Sequence, residues 1–147
     1  MSIVQIIRVA LIDDHDLLRG ELCKCLESFG FQTIFEAENG KVALAKMEKC
    51  DTMPDVCILD VNMPVMNGIE TAKFIKEKYP MIKILGFSIN DDESDVLRML
   101  QSGIDGYILK GADPDELKAA LHVLYNGGRY FSPGVKEMAE QYFRDVH

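Results

Sequence analysis

The chain has 147 residues, of which 48% are hydrophobic and 27% charged, as is usual for a single globular domain. Its formal net charge of -8 disfavours binding of this chain alone to a nucleic-acid backbone, and no apolar run reaches the length of a membrane span. The four cysteines lack the spacing of a zinc site and the N-terminus lacks the features of an export signal, so we expect a cytoplasmic protein with reduced cysteines.

Short apolar segments alternate along the chain with segments of helical periodicity. We predict five strands, at residues 7–13, 32–38, 55–60, 83–88 and 106–110. The segments RVALI, VCILD and IKILGF are almost continuously apolar, which is typical of strands that are covered on both faces of a sheet. Helices fit between these strands because apolar residues recur there at helical spacing, as at Leu18, Leu22 and Leu26.

Three of the predicted helices start with the spacing of a capping box, at Asn67 and Glu70, Asn90 and Glu93, and Asp113 and Glu116. Five strand–helix units with short connections predict an α/β fold, with a parallel sheet and helices on both of its faces. Ligands of such sheets bind beyond the carboxyl ends of the strands. We therefore expect a functional site at that edge.

Polar residues stand at the predicted carboxyl ends of four strands: Asp13 and Asp14 at the first, Asp60 at the third, Ser88 at the fourth and Lys110 at the fifth. Three neighbouring carboxylates repel one another and raise one another's pKa unless a cation lies between them. An all-oxygen cluster suits Mg²⁺, which keeps several of its waters in proteins. With the metal bound, Asp60 can act as a nucleophile toward a phosphoryl group, and Ser88 and Lys110 can hold the oxygens of the product.

Each of these residues also has an ordinary structural interpretation. An aspartate at a strand end is most often a turn or cap residue, and a single serine or lysine there is usually solvated. We interpret His15, next to the acids, as a solvated side chain rather than a ligand. What favours a functional site is the combination of all five polar residues at one edge of one sheet.

The segments ALIDDHDLLRG, ILDVNMPVMNG, ILGFS and GYILK resemble the signature segments of bacterial response-regulator receiver domains. The resemblance extends from residue 6 to residue 128. It implies the CheY-like (flavodoxin-like) doubly wound fold, with a five-stranded parallel sheet in the order 2-1-3-4-5 and helices on both faces.

The resemblance also implies a role for each site residue. Asp60 is the phosphoacceptor, Asp14 binds Mg²⁺ directly, Asp13 binds it through water, and the backbone carbonyl of Asn62 is the third protein ligand; Ser88 is the switch hydroxyl, Lys110 the phosphoryl-binding lysine and Tyr107 the aromatic switch residue. Mn²⁺ can substitute for Mg²⁺. A sensor histidine kinase is the expected donor, so the chain is a signalling domain with only self-catalysed transfer and slow autodephosphorylation, not an enzyme.

Phosphorylation is then expected to draw Ser88 toward the phosphoryl group. Tyr107 moves into the vacated space and alters the surface made by the fourth helix, fifth strand and fifth helix. Three positions depart from the wider family: Ser88 replaces the commoner threonine, Ile89 stands where a small residue is frequent, and Gly111 stands where proline is often found. The last departure leaves the geometry of the Lys110–Gly111 peptide open.

The segment GIDGYILKGADPDELKAALHVLYNGGRYFSP resembles receivers that precede a LuxR-type helix-turn-helix domain. We expect a receiver domain at 1–128 and an amphipathic linker helix at 129–147, with Ser132 as its N-cap and Pro133 at its first position. Its apolar stripe comprises Val135, Met138, Ala139, Tyr142, Phe143 and Val146. We expect this stripe to contact a second copy of the chain on phosphorylation, or a following DNA-binding domain, rather than to fold back. No output domain is expected in this chain, so DNA is bound only through an absent domain.

Two other functions compete with this interpretation. A phosphatase of the haloacid-dehalogenase type also uses an aspartate nucleophile and Mg²⁺, but it needs a second aspartate two residues after the nucleophile, where this chain has Asn62. A nucleotide-binding or flavodoxin-like module has similar topology, but the chain has neither of the usual glycine-rich phosphate-binding motifs. Turnover separates the first alternative from a receiver, which takes one phosphoryl group per chain.

Overall fold

The computed structural model describes residues 5–89 and 91–146. Its strands are β1 (Arg8–Ile12), β2 (Gln32–Ala37), β3 (Val56–Leu59), β4 (Lys83–Ser88), β5 (Gly106–Leu109) and β6 (Tyr130–Phe131). Its helices are α1 (Asp16–Ser28), α2 (Gly40–Glu48), α3 (Gly68–Lys78), α4 (Glu93–Gln101), α5 (Pro114–Tyr125) and α6 (Pro133–Asp145). None of these helices is long and apolar enough to cross a membrane.

The strands form one parallel sheet in the order β2-β1-β3-β4-β5-β6. The predicted order of the first five strands is confirmed, but the prediction of a five-stranded sheet is wrong. The sixth strand has two residues, too few to produce a recognisable apolar pattern, and it pairs with Gly106 and Tyr107. A Cβ atom at Gly106 would lie 2.7 Å from the Tyr130 carbonyl oxygen, so the glycine allows β6 to approach.

Apolar side chains alternate between the two faces of the sheet. On β1, Ala10 and Ile12 join the cluster on the side of α2, α3, α4 and α6, whereas Val9 and Leu11 join the cluster on the side of α1 and α5. All four residues are fully buried. Burial on both faces explains why the strand sequence is continuously apolar rather than alternating.

The predicted starts of two helices are confirmed. The Asn67 side chain accepts a hydrogen bond from the Glu70 N–H at 2.9 Å and begins α3. The Asp113 side chain accepts from the Asp115 N–H at 2.8 Å and begins α5. The third predicted cap, Asn90, lies outside the described residues; α4 has Asp92 as its N-cap.

The C-terminal helix packs on its own domain, contrary to our expectation. Val135 and Ala139 are fully buried in the same apolar cluster as α4, and Met138 packs against that cluster. Val146 alone of the predicted stripe is more than half exposed, at 53%. An amphipathic pattern predicts that a helix has a buried face but not which surface covers it, and here α4 and the end of the sheet do so.

Ser132 occupies the predicted N-cap position of α6 but has a different bonding role. Its hydroxyl donates to Glu116 Oε1 at 2.9 Å and accepts from the Leu109 N–H at 3.2 Å, and it makes no cap bond to α6. Its own N–H donates to the Tyr107 carbonyl at 3.0 Å. Ser132 therefore ties the start of α6 to β5 and α5, which helps to explain why the helix folds back.

Candidate functional site

The predicted site residues meet at the carboxyl edge of the sheet. The parallel hydrogen-bond ladder extends one residue beyond three strands, because Asp13, Asp60 and Lys110 each donate a backbone N–H to the neighbouring strand. The donor–acceptor distances are 2.9 Å to Ala37, 2.9 Å to Ile12 and 2.7 Å to Ser88, respectively. These bonds fix where each functional side chain leaves the sheet.

Lys110 lies between two of the carboxylates. Its Nζ atom is 2.8 Å from Asp13 Oδ2 and 3.6 Å from Asp60 Oδ2, and its side chain is only 6% exposed. Nζ also lies 5.7 Å from the centre of the Phe87 ring. One buried ammonium thus faces two buried carboxylates, which leaves a deficit of positive charge even before Asp14 is counted.

Four side chains form a cluster with metal-binding potential. One ligand atom from each of Asp13, Asp14, His15 and Asp60 lies within 4.8 Å of the others. His15 Nδ1 is 3.1 Å from Asp13 Oδ1 and 3.6 Å from Asp14 Oδ1. The His15 side chain is 61% exposed, as expected of a solvated residue, but it is also in contact with the acids, which the sequence interpretation missed.

Burial raises the pKa of Asp60 from 3.8 to about 6. Lys110 opposes this increase, whereas the negative charges of Asp13 and Asp14 add to it. A hydrogen bond from the Asn62 backbone also lowers the pKa. At neutral pH the ionised Asp60 carboxylate therefore destabilises the folded chain, and a cation among the acids would reduce that destabilisation.

The donor set fits a small hard cation. Asp13, Asp14 and Asp60 contribute carboxylate oxygens, the ligand type that Mg²⁺ and Mn²⁺ prefer, and few protein ligands leave room for retained waters. Asn62 is exposed and its backbone contacts Asp60. The assignment of its carbonyl as a metal ligand remains a prediction.

Tyr107 occupies an inward position in this structure. The side chain is fully buried and hydrogen-bonds to Ser88, itself 1% exposed. Burial raises the pKa of Tyr107, and the bond to Ser88 partly offsets that rise. A Cβ atom at Gly86 would lie 2.8 Å from Tyr107 Cδ2, so the ring fits inward only because position 86 has no side chain.

The loop after Asp60 is shaped by a second close approach. A Cβ atom at Gly68 would lie 2.2 Å from the Asp60 carbonyl oxygen and 2.8 Å from Val61 Cα. The Gly68 N–H donates to the Val61 carbonyl at 2.8 Å, which closes the loop. In the sequence, Gly68 is recognisable only as the residue that follows a helix cap. Its role in allowing α3 to approach Asp60 was therefore not predicted.

The structure describes two of the positions at which the sequence departs from the wider family, Gly111 and Ile89. Gly111 has φ of +93°, a conformation that proline cannot adopt, and every peptide bond among the described residues is trans. The open question about the Lys110–Gly111 peptide is thereby answered. Ile89 is 79% exposed and lines, with His15, Leu17, Leu18 and Lys110, a hollow of about 330 Å³ beside the acids.

Comparison with known proteins shows which family the chain is similar to. Residues 9–122 match the family described as the response regulator receiver domain. The chain is 38% identical over 143 residues to the transcriptional regulatory protein DegU of Brevibacillus brevis, covering 96% of this chain and 60% of the relative. It is 40% identical over 115 residues to the nitrate/nitrite response regulator protein NarL of Escherichia coli K12, covering 78% and 52%.

One solved structure shares the fold of this chain over nearly the whole length of both proteins. The two-component response regulator of the LuxR family from Aurantimonas sp. SI85-9A1 matches with a TM-score of 0.85 and 26% identity, covering 97% of this chain and 100% of that chain. The curated relatives are longer: this chain spans 52% of NarL and 60% of DegU. The chain belongs to the response regulator receiver domain family.

Proposed function

We propose that this chain is the phosphoacceptor module of a two-component system, which accepts a phosphoryl group from a sensor histidine kinase on Asp60. The observation that carries the proposal is the position of Asp60, buried at the sheet edge within reach of Lys110 and the other acids. A carboxylate held in this way can act as a nucleophile toward phosphorus.

Asp14, Asp60 and the Asn62 carbonyl would hold Mg²⁺ directly, and Asp13 would hold it through water. When bound, the cation supplies positive charge to the phosphoryl oxygens. The cluster supports this assignment because three carboxylates converge around one point while, among the described residues, Lys110 is the one ammonium placed there. Mn²⁺ can take the same place.

The transfer itself depends on positioning and electrostatics. An Asp60 oxygen bonds to phosphorus as the phosphorus–nitrogen bond of the donor's phosphohistidine breaks. The electron pair of that bond returns to the imidazole, which solvent protonates. Lys110 lies close enough to Asp60 to pair with a phosphoryl oxygen after a small movement, and the buried Ser88 hydroxyl offers a second donor.

Ser88 links the phosphorylation site to Tyr107. Ser88 hydrogen-bonds to the Tyr107 side chain and ends β4 at the same edge of the sheet as Asp60, so a phosphoryl group on Asp60 would compete with Tyr107 for the Ser88 hydroxyl. The two states then differ in the packing of β5 and α4. Because α6 covers part of α4 and Ser132 ties it to β5, the surface that changes includes α6.

The proposed output is control of transcription through a DNA-binding portion, which the relatives' greater length and printed names support. DNA is bound only through that portion. A homodimer formed on phosphorylation is part of the same proposal and follows from the resemblance to receivers that precede LuxR-type domains. The donor kinase is a partner by the same reasoning.

Labelling with a small phosphodonor tests the proposal. Intact-mass measurement after incubation with acetyl phosphate and Mg²⁺ should show one phosphoryl group per chain. Asp60→Asn should show none, whereas Asp51→Asn, which changes an exposed carboxylate, should match wild type. Undiminished labelling of Asp60→Asn, or labelling that persists in EDTA, would refute the mechanism. Continuous turnover of the donor without a stable adduct would instead favour the phosphatase alternative.

A further inference from the structure

Arg19 joins three elements beneath the acidic cluster. It lies in the first turn of α1, and its side chain is only 15% exposed. One guanidinium nitrogen donates to the backbone carbonyl of Asp13. The others lie 2.9 Å from Asp16 Oδ1, on the same helix, and 3.2 Å from Glu36 Oε1, on β2.

The carbonyl that Arg19 binds belongs to the peptide that links Asp13 to Asp14. Because a peptide is planar, fixing its carbonyl also fixes the direction in which the chain enters Asp14. The Asp13 carboxylate has separate support, from the His15 N–H at 2.9 Å and from Lys110 at 2.8 Å. Asp14 is more exposed, and its described side-chain contact is with His15 at 3.6 Å.

We propose that Arg19 is a positioning residue for the metal site: it holds the Asp13–Asp14 peptide so that both carboxylates converge with Asp60. This inference rests on the proposed function, because it assumes that the cluster binds a divalent cation. Groups behind metal ligands commonly set ligand orientation, and their loss typically weakens metal affinity about 10- to 100-fold.

The direction of the change in Mg²⁺ affinity distinguishes a positioning role of Arg19 from a purely electrostatic one. Arg19 is itself a cation near a cation site, so electrostatics alone predicts that removing its charge strengthens Mg²⁺ binding. Asp16 and Glu36 already offset that charge. Positioning predicts the opposite result, weaker binding, and it predicts weaker binding for Arg19→Lys as well, because one ammonium cannot replace a planar fork that reaches three partners.

The test is a Mg²⁺ titration of the full chain in the absence of any phosphodonor. Binding is monitored through the amide NMR shifts of the residues in the acidic cluster. Wild type, Arg19→Gln and Arg19→Lys are compared with Arg98→Gln, which removes the same charge from an exposed position on α4. We expect both Arg19 variants to need about tenfold more Mg²⁺ for half-saturation. Arg98→Gln should bind as wild type does.

Two failures are distinguishable. If wild type shows no Mg²⁺ response, the proposed metal site fails and the role of Arg19 fails with it. If wild type binds and both Arg19 variants bind equally or more tightly, the positioning role is overturned while the metal site stands. Spectra recorded without metal establish that the variants fold; should Arg19→Gln not fold, the Arg19→Lys result decides.

Discussion

Replacing Asp60 by Asn is expected to stabilise the folded chain when no metal is present. The pKa of Asp60 is raised from 3.8 to about 6, chiefly by burial. The folded state therefore holds the Asp60 proton more tightly than the unfolded chain does, so above the raised pKa the ionised carboxylate opposes folding. Asparagine has nearly the same shape and carries no charge, so it removes this cost.

The size of the effect follows from the pKa. A rise of about two pKa units corresponds to about 3 kcal/mol in the free energy of unfolding. In wild type the ionised carboxylate lowers the free energy of unfolding by the full amount above pH 6. This loss shrinks as the pH falls toward 3.8 and is absent below that value. The advantage of Asp60→Asn should therefore be about 2–3 kcal/mol at alkaline pH and should disappear in acid.

Urea denaturation in EDTA measures this difference at a pH well above the raised pKa and at one near the ordinary pKa. Asp51→Asn, at an exposed position, should change little at either pH. A destabilising effect of the buried Asp60 charge is refuted if Asp60→Asn is less stable than wild type at the higher pH, or if its advantage is the same at both pH values. Added Mg²⁺ should reduce the difference, because wild type alone retains the third carboxylate.

Three further predictions concern packing and signal transmission. Gly86→Ala should force the Tyr107 ring out of its inward position, because the added Cβ would lie 2.8 Å from the ring; a Tyr107 ring that stays buried by NMR would contradict this. Val135→Ala should lower the free energy of unfolding by about 2 kcal/mol, because two buried methyl groups are lost. Val146→Ala, at an exposed position, should lower it by less than about 0.5 kcal/mol. Equal urea midpoints for the two variants would argue against the packing of α6. Ser88→Ala should still accept a phosphoryl group but should give smaller phosphorylation-induced NMR shifts at Tyr107, and an undiminished response would count against the coupling.

The sequence predicted those parts of the fold that depend on long, regular patterns. Strands β1, β3 and β4, in the interior of the sheet, are almost continuously apolar because helices cover both faces, and this pattern is visible without a structure. The two-residue strand Tyr130–Phe131 has no such pattern and was missed. The stripe on α6 was recognised, but its periodicity could not show that α4 covers Val135 and Ala139.

The edge that holds the site was predictable because parallel strands bring their carboxyl ends together. Asp13, Asp60 and Lys110 follow their strands directly, so topology alone places them close together. Contacts made by side chains from other elements were not predictable. Arg19 reaches the Asp13 carbonyl from α1, and Gly86 makes room for a ring on the next strand; neither arrangement leaves a periodic signal in the sequence.

Chemical mapping of the phosphoryl group is the most direct test of Asp60 as the phosphoacceptor. Wild-type chain is labelled with acetyl phosphate and Mg²⁺, treated with borohydride to reduce an aspartyl phosphate to homoserine, and digested for peptide mass spectrometry. We expect homoserine at position 60 and at no other aspartate, with no conversion in EDTA. Conversion at Asp13 or Asp14 with Asp60 unmodified, or a phosphorylated chain in which no aspartate is reduced, would contradict it.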